Sequence, residues 1–193
     1  MQLVKIFEYI GMGGFIIWAL MERTFTFTRQ WQDQGEKQVR ISYWLINLAW
    51  YGAIFFAILD VWTSQITTFA KLLLPLRALG ASLIIAGLLI RFIARRDLGK
   101  QYSVHVETSA DHQLVTHGIY QTIRHPAYLG LIGLFLGIPT SMGSWGGMAI
   151  AALAGIPVVL YRTIIEERYL SEWFGTSYQD YKNNTWRILP RIW

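Results

Sequence analysis

Residues 41–62, ISYWLINLAWYGAIFFAILDVW, form an apolar run of twenty-two residues with one charged side chain, Asp60. A helix rises about 1.5 Å per residue, so this run is long enough to cross the hydrocarbon core of a bilayer. The rest of the chain has the same character, since 53% of its 193 residues are hydrophobic and only 15% are charged. The sequence therefore predicts an all-α, polytopic integral membrane protein.

Four more apolar segments flank this run, which makes five predicted transmembrane helices. The additional spans are expected over about 7–21, 72–94, 127–139 and 145–165. Pro126 precedes the fourth span, where proline suits a first helical turn. Pro157 lies inside the fifth span, which it should kink. Because no internal repeat or low-complexity linker interrupts the chain, we expect a single membrane domain over 1–193, with three spans in 1–94 and two in 95–193.

The basic residues of the predicted loops give the orientation. Of the 17 Lys and Arg residues, all but Lys5, Lys71 and Arg77 fall on one side of the five spans. The positive-inside rule places the side richer in Lys and Arg in the cytoplasm. We therefore expect the N-terminus outside, the C-terminus in the cytoplasm, and a cytoplasmic helix and tail after the fifth span.

Composition and motif spacing argue against several classes of function. The chain has no Cys, which excludes disulfides and thiolate chemistry. The net charge of +5 does not predict nucleic-acid binding, because membrane topology explains the basic loops. The four His residues, at 105, 112, 117 and 125, lack the HxxxH spacing of a helical metal pair, so we expect no metal. The signatures GxGxxG, GxxxxGK[ST] and GxSxG do not occur.

Polar residues capable of chemistry gather in three segments of the second half, 112–120, 124–128 and 162–170. Arg162 and Glu166 are four residues apart, so a helix places them on one face, one turn from each other. Taken alone, this pair is most simply an ordinary ion pair where a helix leaves the membrane. The three segments together call for a more specific explanation, because all are expected at the cytoplasmic face.

An ordered set of motifs resembles the isoprenylcysteine carboxyl methyltransferase family, and the related phospholipid N-methyltransferases share part of the pattern. The motifs are His112-x-Leu114-Val115, Gly118-x-Tyr120, Arg124-His-Pro-x-Tyr128-x-Gly130, Glu166-Glu167-x-x-Leu170, Phe174-Gly175-x-x-Tyr178-x-x-Tyr181 and Arg187-x-x-Pro190. The resemblance covers roughly 95–193. Ile119 stands where relatives usually have proline, and Tyr102 where they often have tryptophan. The low span count is similar to the short prokaryotic branch, which implies a cytoplasmic (inner) membrane.

The resemblance implies methyl transfer from S-adenosyl-L-methionine at the cytoplasmic membrane face. The acceptor would be a carboxylate, or an amine, of an apolar, lipid-like or lipidated molecule entering from the bilayer. The residues implied to bind the cofactor are His112, Gln113, Leu114, Val115, Tyr120, Arg124, His125, Pro126, Ala127, Tyr128 and Glu166. The implied catalytic residues are Arg162, which would face the acceptor, and Glu167, a candidate base for an amine. The C-terminal helix and tail would close the cofactor pocket.

The chemistry of the cofactor suits these side chains. A carboxylate such as Glu166 can bind its ammonium, and His125 or Arg124 can bind its carboxylate. Apolar Leu114 and Val115 suit its adenine.

Two other classes stay open at this point. A membrane reductase of the sterol or carotenoid type, using NADPH, has similar C-terminal tyrosines and an Arg-His motif. A small transporter or scaffold without enzymatic activity is the other alternative. The Glu166-Glu167-x-x-Leu170 motif favours the methyltransferase. Oligomeric state is not predicted.

Overall fold

A computed structural model of the chain describes residues 2–26, 37–68, 73–99 and 114–191. For residues 23–26 and 37–39 this description covers only the backbone. Seven α-helices form this described part. They are α1 (Gln2–Thr26), α2 (Lys37–Leu59), α3 (Leu74–Leu98), α4 (Pro126–Met142), α5 (Trp145–Ile150), α6 (Ile156–Phe174) and α7 (Thr176–Asn183). A π turn, Asp60–Ser64, follows α2, another, Ala151–Gly155, joins α5 to α6, and a 3₁₀ turn, Gly118–Gln121, precedes α4. The all-α prediction is confirmed.

Each predicted span corresponds to one helical rod. Four rods are long and apolar enough to cross a membrane: Gln2–Glu22, Arg40–Ser64, Leu74–Leu98 and Trp145–Phe174. The helix α4, which corresponds to the fourth predicted span, has 17 residues and is shorter than these four rods. At about 1.5 Å per residue it falls a few ångströms short of a typical hydrocarbon core.

The helical geometry of the fifth span is irregular next to Pro157, as the sequence predicts. Pro157 lies in the first turn of α6, directly after the π turn Ala151–Gly155. A proline inside a helix has no N–H to donate and its ring crowds the carbonyl four residues earlier. A π turn at this position widens the helix and relieves that crowding, and such turns are a common cause of helix bends.

Close contact between α3 and α4 depends on glycine. A Cβ added to Gly80 would lie 2.3 Å from the amide of Ser141, and one added to Gly87 would lie 2.7 Å from the carbonyl of Gly130. Small residues let helix backbones approach closely inside a membrane, where packing drives association. The helix α4 thereby becomes the centre of the fold, with Leu134 and Phe135 completely buried.

Buried charges connect the helices, and here the sequence-based boundaries need correction. Because α3 continues to Leu98 and not only to residue 94, Arg95 lies on the same helix as Arg91 and not in a loop. Both are buried, and both form ion pairs with Glu22 of α1. Desolvated charges in a membrane protein are stable only when paired in this way.

The C-terminal residues form the predicted helix and tail. After α7, the tail runs beside the segment that precedes α4 and forms a parallel bridge between Trp186 and Ile123. The amide of Trp186 donates to the carbonyl of Thr122 at 2.9 Å, and the amide of Arg124 donates to the carbonyl of Trp186 at 2.8 Å. The tail is therefore fixed against the start of α4, next to the polar segments that the sequence singled out.

Candidate functional site

His125 lies at the beginning of α4, between the tail and α6. Its amide donates to the carbonyl of Arg187 at 3.0 Å, and its own carbonyl accepts from the amides of Tyr128 and Leu129 at 3.2 Å each. Pro126 occupies the first turn of α4, where its fixed φ starts the helix and its missing N–H costs nothing. His125 is 4% exposed, so this backbone arrangement holds its imidazole in the interior.

Two consecutive glutamates of α6 face this imidazole. His125 Nδ1 lies 3.9 Å from Glu166 Oε2, and His125 Nε2 lies 3.5 Å from Glu167 Oε1. Neither distance is accompanied by a hydrogen bond. The two carboxylates have different hydrogen-bond partners, and these partners determine what each carboxylate can bind.

The carboxylate of Glu167 is held by two arginines. Arg124 Nε donates to its Oε1 at 2.9 Å, while Arg187 donates to its Oε2 through Nε at 3.1 Å and Nη2 at 2.8 Å. Arg124 Nη1 also donates to the carbonyls of Lys182, at 3.0 Å, and Thr185. This network fixes α6, the start of α4 and the C-terminal tail to one another.

Glu166, in contrast, carries an unused acceptor. Its Oε2 is buried and has no hydrogen-bond partner within the described residues, and the same holds for His125 Nε2 and the hydroxyl of Tyr178. An unsatisfied buried polar atom costs about 1–3 kcal/mol. Burial first, and then the charges of Glu167 and Glu166, raise the pKa of Tyr178 above its ordinary value, so this hydroxyl stays protonated. Acceptor and donor atoms thus remain unsatisfied around one small region.

Arg162 lies one turn before Glu166 and joins three helices. Its Nε donates to the hydroxyl of Tyr128 on α4 at 2.9 Å, and its Nη1 donates to Ser42 Oγ on α2 at 2.9 Å. Arg162 is 3% exposed, and Ser42 is fully buried. The guanidinium is therefore held inside the protein by hydroxyl groups from two other helices, which goes beyond an ordinary ion pair with Glu166 where a helix leaves the membrane.

The comparisons with known proteins agree with this arrangement. The model of the phospholipid methyltransferase family matches residues 76–177, from α3 to the start of α7. The chain belongs to the phospholipid methyltransferase family.

Several individual relatives of this family member are protein-S-isoprenylcysteine O-methyltransferases. It is 34% identical over 121 residues to protein-S-isoprenylcysteine O-methyltransferase of Dictyostelium discoideum, a match that covers 58% of this chain and 48% of the relative. It is 28% identical over 201 residues to the Schizosaccharomyces pombe protein of that name, covering 94% of this chain and 84% of the relative. The chain thus spans about half the length of the Dictyostelium relative.

A solved structure shares the fold. The eukaryotic intramembrane Ras methyltransferase, an isoprenylcysteine carboxyl methyltransferase, superposes with a TM-score of 0.59 at 27% identity, covering 78% of this chain and 52% of that one. The predicted resemblance to this family is confirmed, and so is the prediction of an integral membrane protein.

Within this family member, the predicted site residues are brought together to different degrees. His125, Tyr128, Arg162, Glu166 and Glu167 converge, and the rings of His125 and Tyr128 lie 5.7 Å apart. Further from them, Tyr120 is buried and its carbonyl accepts from the hydroxyl of Tyr181 at 2.7 Å. Of the other predicted residues, Arg124 joins the group through Glu167, and Pro126 and Ala127 lie in the first turn of α4. Leu114 and Val115 are half-buried before the 3₁₀ turn, the carbonyl of Ala127 accepts from Arg91, and His112 and Gln113 lie outside the described residues.

Sequence reasoning missed three residues that hold the site in place. Arg187 belongs to a quoted motif, yet no role was assigned to it. Ser42 lies in the apolar run of α2, where nothing in the pattern distinguishes it. Asp97 accepts from the amide of Ile119 at 3.0 Å, and a Cβ at Gly118 (φ +61°) would lie 2.1 Å from its Oδ2. No cluster of three or more His, Asp or Glu able to bind a metal occurs in the parts of the chain that the structure describes.

Proposed function

We propose that this protein transfers a methyl group from S-adenosyl-L-methionine to a carboxylate of a lipidated or lipid-like acceptor at the cytoplasmic face of the membrane. The observation that carries the proposal is the unsatisfied Oε2 of Glu166 beside His125, one helical turn from a buried arginine. Family membership and the names of the relatives support the same reaction class.

The residues present fit the cofactor. Its ammonium needs a carboxylate acceptor, and Glu166 Oε2 is a buried acceptor without a hydrogen-bond donor among the described residues. Its carboxylate needs a donor, which His125 Nε2 and the protonated hydroxyl of Tyr178 can supply. When bound, the cofactor supplies an electrophilic methyl group on a sulfonium. Because charge-assisted hydrogen bonds contribute about 1.5–3 kcal/mol each, Glu166 should dominate its affinity.

Arg162 is the group that we assign to the acceptor. Its planar guanidinium can bind a carboxylate through two donors, and its bonds to Tyr128 and Ser42 fix the direction in which the fork points. A carboxylate held one turn from Glu166 lies close to where the cofactor is expected. Alignment of two reactants in this way accounts for about 7–11 kcal/mol of a barrier in favourable cases.

A carboxylate acceptor is favoured over an amine by the surroundings of Glu167. An amine acceptor must lose a proton, and the predicted base for it is Glu167. Protonation of Glu167 would cost its ion pairs with Arg124 and Arg187. A carboxylate acceptor needs no base at all. We therefore assign to Glu167 and Arg124 the role of holding the site together, and to Glu166 and Arg162 the contacts with the reactants.

Calorimetry on the detergent-purified protein tests the proposal. S-Adenosyl-L-methionine should bind and NADPH should not, and Glu166→Gln should weaken binding by about ten-fold or more, since it removes the charge that pairs with the ammonium. The matched control is Glu172→Gln, which changes an exposed glutamate of the same helix and should leave affinity unchanged. Methyl transfer to N-acetyl-S-farnesylcysteine, a probe chosen from the names of the relatives, tests the acceptor class. Absence of cofactor binding at millimolar concentration would contradict the proposal, and binding of NADPH alone would support a reductase.

A further inference from the structure

A second group of buried charges lies outside the site, where α1 meets α3. Arg91 and Arg95 of α3 are 6% and 2% exposed, and each donates through Nη2 to one oxygen of Glu22. Arg95 Nη1 also donates to the carbonyl of Met21 at 3.0 Å. Buried ion pairs contribute little stability compared with apolar residues of the same volume, because desolvation offsets the attraction. The cluster is therefore better explained by what it positions.

Arg91 connects this cluster to the site. Its Nη1 donates to the carbonyl of Ala127 at 2.8 Å, in the first turn of α4. Ala127 lies between His125 and Tyr128 in the chain, so this bond acts on the segment that presents both side chains. The stem of Arg91 packs against α4 as well, since a Cβ on Gly130 would lie 2.6 Å from its Cγ. Arg91 thus holds the first turn of α4 in position relative to α3.

The same helix holds the other end of this segment. Asp97, six residues after Arg91, accepts from the amide of Ile119 at 3.0 Å. The chain from 119 to 127 is therefore attached to α3 at both ends. Of these two attachment points, Arg91 also contacts α1, where Glu22 forms an ion pair with its guanidinium. Glu22 lies outside the residues 76–177 that the family model matches.

We propose that Arg91 is a positioning residue of the cofactor site, acting through the carbonyl of Ala127, with Glu22 as the counter-ion that orients it. This inference rests on the proposed function, since it assigns a purpose to the position of His125 and Tyr128. It makes α1 part of the machinery that sets cofactor affinity, although none of the proposed cofactor contacts comes from the described side chains of α1.

Arg95 provides a matched control. Arg91→Met and Arg95→Met each remove one arginine from Glu22 at a buried site, but only Arg91 reaches Ala127. Both variants should therefore melt at a lower temperature than the wild type. Only Arg91→Met should weaken binding of S-adenosyl-L-methionine, by about ten-fold. Arg91→Lys should restore part of the stability and little of the affinity, because an ammonium does not reproduce the planar fork that bonds Glu22 and Ala127 together.

Hydrogen–deuterium exchange gives a second measurement that needs no cofactor. Amides of the first turn of α4, over 128–131, should exchange faster in Arg91→Met and at the wild-type rate in Arg95→Met. Equal losses of affinity in both variants, or unchanged exchange in Arg91→Met, would overturn the inference and leave the cluster a structural one. If the wild type binds no cofactor, the proposed function fails, and exchange still decides whether Arg91 holds the turn.

Discussion

Replacing Glu167 by glutamine should destabilise the protein more than any other single glutamate-to-glutamine change among the described residues of α6 and α7. The carboxylate is 5% exposed and accepts from Arg124 Nε at 2.9 Å and from Arg187 Nη2 at 2.8 Å. Removing one partner of a buried ion pair costs about 3–5 kcal/mol, because the remaining charge is left unpaired. Arg187 is 21% exposed and can be partly solvated, so the lower value applies. For a protein of this length, about 3 kcal/mol lowers the melting temperature by about 6–12 °C.

Thermal unfolding in a mild detergent, followed by a fluorescent dye or by circular dichroism, measures this change. Glu172→Gln is the control, since Glu172 is exposed on the same helix, and surface changes of this kind lie within about 0.5 kcal/mol of neutral. Glu166→Gln is the informative comparison, because it should weaken cofactor binding at nearly unchanged stability. If Glu167→Gln melts within about 2 °C of the wild type, or if it loses activity while keeping full stability, the holding role is refuted and a direct chemical role for Glu167 becomes the better explanation.

Three further predictions follow from the same geometry. Arg162→Lys should lower the single-turnover rate by about ten-fold or more while cofactor affinity stays near wild type, because an ammonium cannot replace a guanidinium fork; a parallel loss of affinity would contradict the assignment. Gly87→Ala should lower the free energy of unfolding by about 1–3 kcal/mol, since its Cβ would lie 2.7 Å from the carbonyl of Gly130. The control is Gly13→Ala on α1, which has open space around it and should not destabilise the protein, and calorimetric melting distinguishes the two variants. Reporters fused to the two ends of the chain should locate the N-terminus outside and the C-terminus in the cytoplasm, and two reporters on the same side would refute the topology.

The helical membrane fold could be predicted because its signal is composition over long windows. Runs such as 41–62 need no tertiary information, since the bilayer alone requires about twenty apolar residues per helix. Helix ends were less predictable, and α3 shows why. The sequence predicts that this span ends near residue 94, and an unpaired charge at Arg95 would be costly inside a membrane. Only the structure reveals Glu22 opposite it, which permits the helix to continue to Leu98.

The candidate site divides in the same way. Residues carried by local motifs, such as His125 and Glu166, were identified because each motif combines a chemical group with a fixed spacing. Ser42 was missed because a serine in an apolar run is common and carries no spacing signal. The role of Glu167 in holding the site together was out of reach for a related reason. Adjacent glutamates on a helix differ only in what they face, and that depends on Arg187, twenty residues further along the chain.

The division between groups that contact reactants and groups that position them has a consequence for the whole protein. Most contacts proposed for the reactants come from the start of α4 and from α6, inside the matched residues 76–177, and Tyr178 of α7 lies directly after them. Ser42 of α2 and Glu22 of α1, which hold Arg162 and Arg91, lie outside the matched residues. A positioning residue needs only to present one polar atom at the right place, so several side chains and helix arrangements can satisfy it. A residue that contacts the cofactor must match a fixed chemical group. Residues in the first half of the chain should therefore tolerate substitution better than the residues that contact the cofactor, provided that Arg91 and Arg162 each keep a partner.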